Sequence, residues 1–131
     1  MGKKYEVGDI VFVSKYNYEG GQDGKNHLFV IVDIGDIQFV PVEYFGMIVS
    51  SHIEKAKENN SSSIFKFNEK LNKDKNNNLH KDSIVKCDQI FKIPQKNIQF
   101  KIGQVDTDDY IRFMAAFNEF LSSINETLTE V

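Results

Sequence analysis

GQDGKNHLFVIVD, residues 21–33, decides how the chain folds. A polar, glycine-bearing stretch runs to Asn26 and His27, and five apolar residues, Leu28 to Val32, then follow without interruption. An unbroken apolar run bounded by turn residues predicts a strand, here His27 to Ile34, buried on both faces. Upstream, Asp9 to Lys15 (DIVFVSK) reads as a second strand with Ile10, Phe12 and Ser14 on one face, and Gly8 suits a tight entry to it. Residues 16–26 between them read as a loop, marked by Gly20-Gly21 and Asp23-Gly24. After the central strand, Gly35-Asp36 reads as a turn.

Further along, residues 37–50 hold one or two strands broken near Pro41, because proline cannot donate to a ladder. Residues 51–58 fit a helical turn or a strand extension, 59–63 a loop, and Ile64 to Phe67 a short strand. The asparagine-rich stretch 68–82 is expected to be a mobile loop on composition. Ile84 to Cys87, Gln89 to Ile93 (ended by Pro94) and Phe100 to Val105 read as short strands, with a turn at 95–99. Then the period changes. Tyr110, Phe113, Met114, Phe117, Phe120, Leu121 and Ile124 recur at helical spacing, with Asp106 or Thr107 as N-cap and Asp108 and Asp109 at the positive helix start. Short strands closed by one helix predict a small, strongly bent sheet or barrel, one domain over 1–131.

The 131 residues suit a single core, and 40% hydrophobic with 27% charged residues is an ordinary globular balance. Lysine plus arginine number 16 against 19 acids, a net charge of −3, and Arg112 is the sole arginine. That balance gives no general signature of nucleic-acid binding. One cysteine, Cys87, builds neither a disulfide framework nor a zinc cluster. The start MGKKYEVGD has no signal-peptide apolar region, and no run approaches the ~20 apolar residues of a membrane span. The expected location is the cytoplasm, with no membrane partner.

Four segments in order resemble the MazF/PemK family of bacterial toxins. They are GDIVFV at 8–13, GKNHLFVIVD at 24–33, IVSSHIEKAK at 48–57 and KDSIVKCDQIFKIPQKNI at 81–98, with the closing helix in the expected place. The resemblance implies a mainly β fold, an SH3-like small barrel with short helical insertions and a C-terminal helix, usually as a homodimer. It implies metal-independent cleavage of single-stranded RNA to 2′,3′-cyclic phosphate and 5′-hydroxyl ends, without a cofactor, inhibited by a cognate antitoxin.

The family's chemistry uses an arginine at the end of the glycine loop and a threonine in the third segment. Here the Arg-Pro pair falls on Asn26-His27, the threonine on Ser50, and the family's glutamine on His52. Serine keeps the hydroxyl, but asparagine loses a permanent charge and its fork of donors. His27 is the substitute able to give or take a proton near neutrality. The expected catalytic set is His27, Ser50 and Asn26. Lys25, Gly24, Ser51 and His52 are the expected substrate-binding residues, Lys25 as a point charge on phosphate and the glycine as room for RNA to approach.

Plainer readings stand beside these. A lone histidine at a loop–strand junction is more often a surface or capping residue, and Ser50 and Ser51 also suit ordinary strand-end positions. The three histidines make no i, i+4 metal pair, and the loop at 20–24 lacks the GK[ST] ending of a phosphate loop. Two alternatives to the nuclease remain: a non-catalytic member of the same fold that binds nucleic acid or peptide, and an inhibitor of a protein target such as a topoisomerase.

Overall fold

A computed structural model describes residues 5–16, 25–35, 43–51 and 67–129. Seven strands form one antiparallel sheet: β1 (Asp9–Tyr16), β2 (Lys25–Ile34), β3 (Glu43–Ser50), β4 (Asn68–Leu71), β5 (Ser83–Lys86), β6 (Phe91–Pro94) and β7 (Ile98–Gln104). The helix α1 (Thr107–Thr129) follows. The main order is β4-β5-β3-β2-β1-β7, and β6 pairs with β3. β3 lies along β2 on one edge; on the other it pairs with β5 through Val49 and Ser50 and with β6 through Glu43 to Gly46. A 3-10 turn at Gln95–Asn97 leads from β6 into β7, which returns to β1. The sheet thereby curls into a small barrel, as expected.

The apolar run of β2 feeds two cores because successive side chains alternate across a strand. Phe29 and Ile31 join Val11, Val13, Tyr44, Ile48, Ile93 and Ile98 inside the barrel. Val30 and Val32 join Ile10, Met47, Val49 and Val85 on the outer face, where Phe113 and Ala116 of α1 cover them. Asp106 caps the helix, its Oδ1 accepting the Asp109 amide at 2.8 Å. Leu121 and Ile124 stay 41% and 39% exposed, so the stripe read from the sequence extends beyond the surface that α1 buries.

Several boundaries differ from the sequence reading. β2 begins two residues early, so Lys25 and Asn26 belong to the strand through the Tyr16–Lys25 pairing. Asn68–Leu71, read as loop, is a strand held by β5, with Leu71 buried. The expected strand at 64–67 falls mostly outside the described residues, as do the expectations for 36–42 and 52–63.

The asparagine-rich loop is the larger correction, because it is built rather than loose. Asp74 Oδ1 accepts the amides of Asn76 and Asn77 at 2.8 and 2.7 Å. The fully buried Asn77 side chain accepts the Asp74 and Leu79 amides, both at 3.0 Å, and donates to the Asn72 carbonyl at 2.9 Å. Asn78, at φ 56°, donates from Nδ2 to the Ile102 carbonyl at 2.9 Å. Short asparagine and aspartate side chains replace missing secondary-structure bonds here, and Asn78 tolerates the left-handed backbone.

Candidate functional site

The β2–β3 register decides what meets near the start of β2 and the end of β3. Leu28 lies opposite Val49, so the next pair of positions is His27 and Ser50. Val13 flanks His27 on the β1 side, and Ile84 flanks Ser50 on the β5 side. His27 and Ser50 therefore share one face, the barrel-interior face that carries Phe29 and Ile48. Both are partly buried, and the His27 ring stands edge-on to Phe29 at 6.0 Å between centroids. The ring of Phe29 thus gives His27 an apolar footing, while its intermediate burial leaves part of it exposed.

Two of the other expected site residues, Asn26 and Ser51, separate from this pair. Asn26 is exposed and, by strand alternation, faces the outer side of the sheet. Ser51 lies exposed just past the end of β3. Lys25 is the first residue of β2, while Gly24 and His52 fall outside the described residues. His80, read as plain loop, is exposed in the built loop after β4.

Arg112 does not reach this end of the barrel. Its guanidinium donates to Glu69 Oε1 at 2.9 Å, to the Lys70 carbonyl at 2.9 Å and to Asp109 Oδ1 at 2.7 Å. The Asp109 hydrogen bond raises its pKa, with the Asp109 and Glu69 charges adding to the shift against desolvation. It ties α1 to β4. Cys87 is equally remote from chemistry: burial pushes its thiol up to about 12, helped by the Glu69 charge, so it is no nucleophile at neutral pH. Asp9 is 2% exposed, accepts the Glu6 amide at 2.8 Å and meets Lys101 at 3.0 Å, fixing the entry to β1. Gly8 before it takes φ 95°, a conformation that explains the glycine. Among the described residues, no three His, Cys, Asp or Glu side chains gather to hold a metal ion.

The outer face carries a feature the sequence reading did not single out. Phe12 and Phe100, paired across β1 and β7, stack with centroids 5.0 Å apart and planes 8° from parallel. Strand alternation could have put Phe12 on this face, but only the β1–β7 pairing brings Phe100 to it. Phe100 is 49% exposed beside a cleft of about 550 Å³. Met47, Ile48 and Val49 of β3 are buried within the chain, so they are not available as a surface between copies. No described helix is long and apolar enough to cross a membrane.

Residues 6–121 match a sequence family described as the PemK-like, MazF-like toxin of type II toxin–antitoxin systems. Among solved structures, the Mycobacterium tuberculosis toxin MazF-mt6 superposes with a TM-score of 0.59, covering 86% of this chain and 96% of that one at 12% identity. At such identity the likeness speaks for the fold alone. No curated protein matches the chain.

Proposed function

Because the chain belongs to the PemK-like, MazF-like toxins of type II toxin–antitoxin systems, we propose that it is a metal-independent endoribonuclease acting on single-stranded RNA, centred on His27. The observation that carries this reading is the register that sets His27 across from Ser50, where β2 starts and β3 ends. In the proposed reaction, His27 takes the proton from a ribose 2′-hydroxyl. The 2′-oxygen bonds to phosphorus, the bond from phosphorus to the 5′-oxygen breaks, and that oxygen takes a proton from water or from His52. The products are a 2′,3′-cyclic phosphate and a 5′-hydroxyl. The Ser50 hydroxyl donates to a non-bridging phosphate oxygen, and Lys25 supplies positive charge in place of the family's arginine. Asn26 and Ser51, both exposed, hold the RNA as it enters, and Gly24 and His52 complete the proposed binding set. A cognate antitoxin segment covers the same end of the barrel.

Rates of RNA cleavage with EDTA present test the assignment. His27→Ala should slow the reaction by about 10²–10⁴-fold. Ser50→Ala should cost about tenfold, a charge-assisted hydrogen bond. The wild-type rate should titrate between about pH 6 and 8. An unchanged rate in His27→Ala removes the histidine from the chemistry. The engagement of Arg112 with Glu69 and Asp109 favours one second reading, a barrel that binds RNA without cleaving it. A folded wild type that binds RNA and leaves it intact would establish that reading instead.

A further inference from the structure

The stacked pair Phe12 and Phe100 lies on the face of the sheet opposite His27. Two nearly parallel rings form the start of a column, and the half-exposed Phe100 ends it. The adjoining cleft is floored by Leu28, Ile102 and Phe100 and rimmed by Asn78, His80 and Lys101. Among the described residues no carboxylate lines it, in a chain of net charge −3. Lys101 pairs with Val11, and its ammonium turns to Asp9 at 3.0 Å on the other face of β7, so the residue meets the cleft only where its backbone passes between Phe100 and Ile102. A flat apolar platform with the hydrogen-bonding side chains of Asn78 and His80 at its edge matches a nucleobase.

Position joins the cleft to the proposed site. Leu28 follows His27 in the chain and faces Phe12 across the β1–β2 ladder. Asn26 stands exposed on the same face as Leu28, one pleat nearer the strand end. A strand of RNA leaving His27 and turning round the end of the sheet meets Asn26 and then the cleft. The built loop after β4 holds the rim, through the Asn78 bond to Ile102.

We propose that this cleft is a stacking subsite for an unpaired base flanking the scissile phosphate, with Phe100 as the platform. The proposal rests on the ribonuclease reading for the identity of the strand, and its test is separable from that reading. The probe is a fluorescein-labelled 2′-O-methyl oligoadenylate of about ten nucleotides, which binds but lacks the nucleophilic hydroxyl. Anisotropy should show Phe100→Leu binding about tenfold more weakly than wild type, since leucine keeps apolar bulk but no flat face. Phe100→Trp should bind at least as well as wild type. The chain has no other tryptophan, so quenching of the introduced indole by the unlabelled oligonucleotide reports stacking directly.

Wild-type affinity in Phe100→Leu, or saturation without quenching in Phe100→Trp, overturns the subsite. So does a wild type that fails to bind the probe. A dimer that Phe100→Glu converts to monomer with unchanged probe affinity would make the cleft an interface between copies and overturn it too. Binding and quenching as expected, with unmodified RNA left uncleaved by wild type, would sink the nuclease reading and leave the subsite standing.

Discussion

Replacing Gly103 by alanine puts the built loop after β4 under a load that can be worked out. An added Cβ would lie 2.4 Å from the Asn77 carbonyl oxygen, 2.5 Å from its carbon and 2.6 Å from the Asn76 oxygen. All three are backbone atoms, so no rotamer change relieves the clash, and loop and strand must part by roughly 1 Å to reach ordinary contact. That movement stretches two bonds between them, Gln104 N–H to the Asn76 carbonyl at 3.0 Å and Asn78 Nδ2 to the Ile102 carbonyl at 2.9 Å. At about 1 kcal/mol each, with about 1 kcal/mol more for partial exposure of Leu79, the loss is about 3 kcal/mol. Equilibrium urea unfolding followed by circular dichroism measures it. With a slope of about 2 kcal/mol per molar urea, the midpoint should fall by about 1.5 M. Gln99→Ala, exposed on the same strand, should leave it nearly unchanged. A Gly103→Ala midpoint within about 0.3 M of wild type would refute the close approach, and with it the rigid loop that rims the cleft.

Other consequences are as direct. Cys87 gives the alkaline stability a slope: its thiol titrates near 9 when unfolded and at about 12 when buried, so the unfolded chain releases the proton first. Stability is then full below pH 9 and falls by about 1.4 kcal/mol per unit toward pH 12. Cys87→Ala, although less stable at neutral pH, should show a shallower alkaline decline in urea midpoints; parallel declines would deny the thiol this role. Arg112→Ala should lower stability by about 1 kcal/mol, because the side chain is 43% exposed, and leave the rate of RNA cleavage unaltered. A loss of cleavage with stability kept would show that Arg112, and not the β2 entry, supplies the missing charge.

What could be read from the chain follows from which forces are local. Leu28 to Val32 announced a doubly buried strand because both cores demand apolar side chains, and each claimed alternate residues. Asp106 announced the helix start because capping depends on a few neighbouring atoms. Composition misled at 72–82, where asparagines that look like solvated linker bond their own backbone, a matter of geometry rather than polarity. Asn68–Leu71 hid for a similar reason: its pairing with β5, not its own polar pattern, makes it a strand.

At the site, the sequence named His27 and Ser50 separately, and only the register makes them facing positions. The same pleat sends Asn26 to the other face, a separation that no linear spacing reveals without knowing where the strand begins. Phe12 and Phe100 are far apart in the chain, so their stack waits on the β1–β7 pairing.

The most direct test is the chemistry of RNA ends. A long single-stranded RNA is incubated with the purified, folded protein in EDTA, and the fragment termini are identified by mass spectrometry and by their response to polynucleotide kinase. Fragments ending in 2′,3′-cyclic phosphate and beginning with 5′-hydroxyl, absent with His27→Ala, are the predicted result. Intact RNA, or fragments with 5′-phosphates, or cleavage undiminished in His27→Ala, would contradict a histidine-centred nuclease on this barrel.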